Sequence, residues 1–424
     1  MNLAIVFSLL LFVAVYIALT TEIINKTAAV LLGAMVMVFA GILDQKAAYA
    51  HIDWNVIFLL IGMMIIMNIT RQTGFFQYVA IKIAKFAHGE PLAILILLSL
   101  VTALFSALLD NVTTVLIIVP ITILIAVELG TTPVPFVVTI AMASNIGGTA
   151  TMIGDPPNIM IGSAAGLGFI DFIVNMAPVV IVILIVFCGM VVLFFRKQLK
   201  VSNERKARIM NFDETRAIED KSLLIKSMTV IGFVILGFLL HGQLHIEASS
   251  VAMTGAVVLI IISGMKDLEH VFAELEWTTI FFFIGLFMLV GGLVEVGVMA
   301  EASTWLLGVT SGHLRLTQFV LLWFSGVLSG LVDNIPFVAT MIPLIQDMGV
   351  QLGAEAIRPL WWTLAMGACL GGNGTLIGAS ANVVSAGLSS KSGHPVSFWD
   401  FTKYGAIFTL MSLLVSTLYV FIRY

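Results

Sequence analysis

The chain has 424 residues, of which 60% are hydrophobic and 10% charged, with a mean hydropathy of +1.11, where an average soluble domain is about half apolar and about a quarter charged. At roughly 20 residues per crossing, this predicts an all-α polytopic membrane protein with about ten to fourteen segments, and it excludes an ordinary soluble enzyme. The 20 basic and 24 acidic residues, net -4, are too balanced to imply a nucleic-acid partner.

In chain order, Met1 to Thr20 resembles a secretory signal in its apolar core but lacks a preceding Lys or Arg, and it reads as the first span. Apolar runs at 27-43 and 54-70 give two more spans. Runs at 92-109 and 112-127 meet at Asp110-Asn111, and runs at 134-152 and 159-195 flank a Gly-rich break. The interval 196-226 is the one long polar stretch, carries nine of the twenty basic residues, and reads as a cytoplasmic linker. Beyond it the runs are 228-243, 249-265, 277-295, 316-332, 335-348, 359-370 and 403-422. The two cysteines, Cys188 and Cys369, lie in separate apolar runs, so neither a disulfide framework nor a Cys-based metal site can be built within one chain.

The second set of runs repeats the first. A shift of 223 residues brings Trp54 onto Trp277, Gly62 onto Gly285, Gly74 onto Gly297, Asp110-Asn111 onto Asp333-Asn334 and Pro120 onto Pro343. One further residue aligns Gly148 to Gly154 and Asn158 with Gly372 to Gly378 and Asn382. Repeat 1 is therefore 1-195, with three spans, a hairpin at 91-128, a broken helix at 134-165 and a final span. Repeat 2 is 227-424, with its hairpin at 315-348 and broken helix at 359-385. A re-entrant hairpin adds no net crossing, so each half crosses five times and the second inserts upside down. The expected fold is two inverted repeats, about ten transmembrane helices, two re-entrant hairpins and two broken helices.

Lys and Arg concentrate in cytoplasmic loops, and a cytoplasmic linker places sixteen inside: its nine plus Lys26, Arg71, Lys82, Lys85, Lys266, Lys391 and Lys403. Lys46, Arg315, Arg358 and Arg423 fall outside. The expectation is a multi-pass protein of the plasma (inner) membrane with both termini non-cytoplasmic. The first hairpin then enters from inside and the second from outside.

The tips read Leu109-Asp110-Asn111-Val112-Thr113-Thr114 and Val332-Asp333-Asn334-Ile335-Pro336-Phe337. An ionised Asp in hydrocarbon is costly unless it meets water, a partner or an ion, so two at equivalent positions suggest a shared polar cavity. Capping of the returning helices is the plainer role, and the two can coexist. The breaks read Asn145-Ile146-Gly147-Gly148-Thr149-Ala150-Thr151-Met152-Ile153-Gly154-Asp155-Pro156-Pro157-Asn158 and Gly371-Gly372-Asn373-Gly374-Thr375-Leu376-Ile377-Gly378-Ala379-Ser380-Ala381-Asn382. There the backbone leaves helical angles, and its freed groups must be satisfied by each other, water or cargo; a plain loop between spans is the bland alternative. Asp155 before Pro156 fits an N-cap with Pro at the first helical position, and its repeat partner is Ala379.

Asp110, Asp155 and Asp333 are the proton-coupling candidates, and they could equally bind Na⁺ with backbone oxygens. Asn111, Thr113, Asn145, Thr149, Thr151, Asn158, Asn334, Asn373, Thr375 and Asn382 would line the site. The seven His lie near span ends or in loops. The sequence has no P-loop, no His-Glu-x-x-His and no Gly-x-Ser-x-Gly motif. No catalytic residue, resident metal or cofactor is expected, and nothing supports ATP hydrolysis by this chain.

At these four motifs the chain resembles the ion transporter superfamily, and most closely the arsenite-efflux permeases (ArsB) and the P-protein group. The resemblance implies a scaffold from the first three and last spans of each half, a mobile transport domain of hairpins and broken helices, homodimerisation, and elevator-type alternating access. It further implies export of arsenite or antimonite in exchange for protons, sometimes assisted by a separate cytosolic ATPase. A soft As(III) centre would want about three thiolates. With two cysteines on different segments, arsenite would instead be recognised as its neutral trihydroxide by Asn, Thr and backbone groups. The alternatives are a Na⁺/H⁺ antiporter and a Na⁺-coupled anion or dicarboxylate transporter. No Lys or Arg lies in the four motifs to favour an anion.

Overall fold

The computed structural model describes residues 3-21, 23-264, 268-310 and 312-424. Lys266, counted above on the cytoplasmic side, lies outside the described residues. The first half is built from α1 (Leu3–Thr21), α2 (Lys26–Phe39), α3 (Gln45–Ala50), α4 (Trp54–Arg71), α5 (Phe75–Phe86), α6 (Pro91–Leu108), α7 (Asn111–Glu128), α8 (Val134–Gly148), α9 (Pro156–Ala165) and α10 (Phe169–Phe195). The linker holds α11 (Asn203–Met210) and a short 3-10 turn (Glu214–Ala217). The second half repeats the first helix by helix: α12 (Lys221–Leu244), α13 (Ala248–Ser263), α14 (Leu268–Ala273), α15 (Trp277–Glu295), α16 (Val298–Val309), α17 (Leu314–Leu331), α18 (Asn334–Leu352), α19 (Ala354–Gly371), α20 (Ser380–Lys391) and α21 (Phe398–Arg423).

The helix boundaries follow local chemistry. Asn25, Asp53, Asp110, Asp220, Asp333 and Ser397 accept backbone N–H bonds at the starts of α2, α4, α7, α12, α18 and α21, and Pro91 and Pro156 open α6 and α9. Gly74 and Gly297, equivalent in the repeat, enter α5 and α16 at φ +76° and +81°, a conformation glycine adopts without penalty.

Packing between the halves is reciprocal: α2 lies on α15 as α13 lies on α4, and α9 lies on α18 as α20 lies on α7. That exchange is the signature of a pseudo-two-fold relation between inverted halves. Among the described residues, ten helices are long and apolar enough to cross a bilayer, namely α1, α4, α6, α7, α10, α12, α15, α17, α18 and α21. They differ from the ten expected crossings, since four of them are hairpin legs, while α2 and α13 have only 14 and 16 residues. An 18-residue leg reaches about 27 Å, close to the ~30 Å hydrocarbon depth. The hairpins are re-entrant because of where they end. The tip of α6–α7 and the tip of α17–α18, which belong to oppositely oriented halves, both meet the break between α8 and α9 through Asn111–Asn145 and Asn334–Asp155 bonds.

Burial separates two kinds of helix. Every residue of α8 from Pro135 to Gly148 is buried, and so is α19 from Leu360 to Gly371. By contrast α1 buries only Ser8, Val15 and Leu19, leaving an apolar surface suited to lipid. The linker is docked rather than loose. Lys85 of α5 donates to Glu214 at 2.5 Å and to the Phe212 carbonyl at 3.0 Å, Lys206 pairs with Glu90, and the Glu219 N–H donates to the Thr73 carbonyl at 3.1 Å.

Candidate functional site

Two hairpin tips and two helix breaks converge on one buried polar centre. The three carboxylates there have different surroundings. Asp110 caps α7 by accepting the Thr113 N–H at 2.8 Å. Asp333 accepts the Ile335 N–H at 3.2 Å and the Ser380 hydroxyl at 2.9 Å, and forms an ion pair with the Lys26 ammonium at 3.5 Å. Asp155, fully buried, stands at the N-cap position of α9 with Pro156 following, but its side chain makes no cap bond. It takes the Asn334 amide instead, at 3.3 and 3.4 Å. The expected N-cap role therefore describes the position of Asp155 and not its side chain. With no N–H on Pro156 or Pro157 to claim it, the carboxylate is free to face the opposite tip.

Asn145, in the last turn of α8, ties three segments together. It accepts from the Asn111 amide at 3.1 Å and donates to the side-chain oxygens of Asn373 and Asn382, both at 2.9 Å. Asn373 in turn donates to the Met142 carbonyl. Asn158 and Asn382 are occupied in a matched way by their own breaks: Asn158 donates to the carbonyls of Gly148, Thr149 and Thr151, and Asn382 to those of Gly372 and Thr375. Thr149 bonds back to the Asn145 carbonyl, and Thr151 and Thr375 turn to the Ala107 and Gly330 carbonyls of their own hairpins. These hydroxyls close the breaks. The Asn111 side-chain oxygen is buried beside the Asp110 tip with no hydrogen-bond partner among the described residues, an acceptor left over for something else.

Lys26, Ser380 and Cys369 belong to this neighbourhood and were absent from the expected set. Cys369 of α19 donates to Asn158 at 3.4 Å. Ser380 follows Ala379, the repeat partner of Asp155, and that register was its signal. Lys26 looked like an ordinary basic residue between spans. A cavity of about 380 Å³ bordered by Lys26, Thr278 and Thr279 reaches Asp333 and Ser380. Its mouth lies on the linker face: Asn68 and Arg71 at the end of α4 bind the Glu274 carbonyl and carboxylate just before α15, and the linker sits on the same end of α4 at Thr73.

Residues 16–367 match the family described as citrate transporter (CitMHS). An uncharacterized transporter of Mycobacterium tuberculosis is 45% identical over 98% of this chain and 97% of its own length. The P protein of Mus musculus is 32% identical over 97% of this chain, which spans 59% of that longer protein. The crystal structure of the YdaH transporter of Alcanivorax borkumensis matches 92% of this chain and 88% of that one, with a TM-score of 0.58 and 13% identity, a likeness of fold.

Proposed function

The chain belongs to the citrate transporter family CitMHS, within the ion transporter superfamily that includes the ArsB and P-protein groups, and is a multi-pass membrane transporter; on that premise we propose that it is a secondary active transporter exporting arsenite or antimonite in exchange for protons. The cargo would bind as the neutral trihydroxide among the two tips and two breaks, with Asp110, Asp155 and Asp333 accepting its hydroxyls or carrying protons. The hairpins and broken helices would move as one unit against the remaining helices, in a homodimer of the plasma membrane, with or without a separate cytosolic ATPase.

The observation that carries this reading is the charge balance of the centre. Among the described residues, the three buried carboxylates stand against one half-buried ammonium, surrounded by amides and hydroxyls. Such a site favours protons, cations and neutral hydroxylated species over a citrate-like polyanion, whose negative charges would face Asp110 and Asp155. The lone Cys369 thiol supplies one soft ligand where three would be needed. A second reading, Na⁺/H⁺ antiport, is supported by the unpartnered Asn111 oxygen beside Asp110, an oxygen donor suited to a hard cation.

Everted vesicles carrying an imposed pH gradient test both. Collapse of the gradient on adding As(III) or Sb(III), with gradient-driven As(III) uptake, is expected. Collapse with Na⁺ alone replaces the first reading by the second. Inward citrate flux that requires external Na⁺ replaces both by the anion importer.

A further inference from the structure

The cavity that reaches Asp333 has a counterpart on the opposite face. With α13 set on α2 by their helix starts, one residue short of the 223 shift, its rim, Asn25 to Thr27 with Thr278, corresponds to Glu247 to Ser249 with Asn55, and those residues border a second cavity of about 440 Å³. The inner walls differ. The first rim faces a hairpin tip, whereas the second faces Ile159 and Gly162 on the body of α9. The same scaffold surface is therefore set against two different heights of the moving unit.

Among the described residues, one rim grips what it faces and the other does not. Lys26 at the start of α2 reaches Asp333 at 3.5 Å. One helix away, the Tyr16 hydroxyl of α1 donates to the Pro336 carbonyl at 2.5 Å and shares a hydrogen bond with Thr340 at 2.7 Å. Aligned on their helix starts, one residue short of the 223 shift, the matching positions of the second half are Ala248 for Lys26 and Phe238 for Tyr16, which offer neither an ammonium nor a hydroxyl. Among the described residues, the charged or titratable groups around Asp333 are Lys26, the Tyr16 hydroxyl at Pro336 and Thr340, Asp155 beyond the Asn334 amide, and Glu276, which accepts from Thr279 on the cavity rim.

We propose that Lys26 is the coupling latch of the carrier: its ammonium holds the empty hairpin tip against the scaffold through Asp333, and a monovalent cation, H⁺ or Na⁺, must neutralise Asp333 in its place before the tip can leave. Separating the pair without a replacement leaves the buried Asp333 carboxylate without its cation in low dielectric, so the empty carrier stays put and slippage is suppressed. This rests on the exchange reading above. Because the latch exists in one half only, it holds the state whose cavity opens on the linker face.

The test places a cysteine at Thr278, on the scaffold rim, in full-length protein reconstituted in vesicles without cargo. Labelling by a membrane-impermeant maleimide from the linker side is measured against protein lacking the added cysteine. Lys26→Ala is expected to lower Thr278→Cys labelling at least threefold, and Lys26→Arg to preserve it. Tyr16→Phe, which removes the second grip, is expected to lower it by a smaller factor and serves if Lys26→Ala does not fold. In protein with Lys26 intact, either lowering pH or adding Na⁺ should reduce labelling relative to the Lys26→Ala protein treated identically, a ratio that cancels the fall in thiolate with pH, and whichever does so identifies the cation. In loaded vesicles at equal pH, Lys26→Ala should release As(III) at least fivefold faster than the native chain. Unchanged labelling in both Lys26→Ala and Tyr16→Phe, or indifference to pH and Na⁺ alike, overturns the latch. Absence of As(III) flux in the native chain rejects the arsenite reading and leaves the cargo-free labelling result standing.

Discussion

Asp155 is the carboxylate on which the exchange reading depends most, because it is fully buried, caps nothing and receives one amide from the opposite tip. Asp155→Asn should leave expression and folding near normal while cutting exchange about 10- to 100-fold, the equivalent of losing one hydrogen bond to a charged group at ~1.5–3 kcal/mol; initial rates in vesicles at matched protein density give the measure. Asn145→Ala acts differently. It strips partners from Asn111, Asn373 and Asn382 together, and at ~1–3 kcal/mol for each buried polar group left unsatisfied it should lower the detergent unfolding temperature as well as transport. The Asp-Asn tips and the Gly-Asn-Thr breaks stand out in the sequence because polar groups in an apolar run need an explanation. Lys26 does not stand out, since its partner is 307 positions away and only the fold brings α2 to the tip of α17–α18. Nor does sequence distinguish Asn145, which links segments, from Asn158 and Asn382, which satisfy the carbonyls of their own breaks.

At the level of elements, α8 can lie on α6 because Gly147 lets the backbones touch: a Cβ there would stand 2.1 Å from the Ala103 carbonyl oxygen and 2.4 Å from its Cα. The repeat uses Gly371 of α19 against Gly326 of α17 in the same way. Gly147→Ala should therefore cost about 1–3 kcal/mol, the range for overpacking, and lower the thermal midpoint in detergent. Gly189→Ala, with open space around it, should not. The linker gives a pH prediction. The hydrogen bond from Lys85 holds the Glu214 carboxyl below its ordinary 4.5, so the strap's contribution is complete above that value and is lost as pH falls through the lowered one. Proteolysis between residues 211 and 220 should accelerate only at such acidic pH, and Glu214→Gln should reproduce the acceleration at neutral pH. Hairpins and breaks were legible as elements because Gly, Pro and Asp-Asn punctuate apolar runs. The docking of the linker was not, since it depends on individual pairs such as Lys206–Glu90 that no periodicity announces.

On the scale of the molecule, the duplication was readable because rare residues coincide at shifts of 223 and 224, and an odd number of crossings then forces inversion. The identity of the long helices was less readable: hairpin legs of 18 and 19 residues match a full span in length, and only the meeting of their tips distinguishes them. The charge distribution predicts that the linker and the mouth beside Lys26 share the cytoplasmic side. A fluorescent reporter inserted after Ser202 should accordingly fold and emit in intact cells, whereas a periplasm-dependent enzyme reporter at that site should stay inactive; the reverse pattern would invert the whole arrangement.

The amide of Asn145 spends both of its protons on the other copy of the repeat. A gene cut within 196-226 would yield two polypeptides, each holding unpaired amides in an oily interior and neither able to mature by itself. Expressed singly they should be degraded, and produced together they should reassemble into an active carrier. On this view the single-repeat ancestor had to pair with an inverted copy of itself, about a two-fold axis, before the two copies were ever joined into one chain.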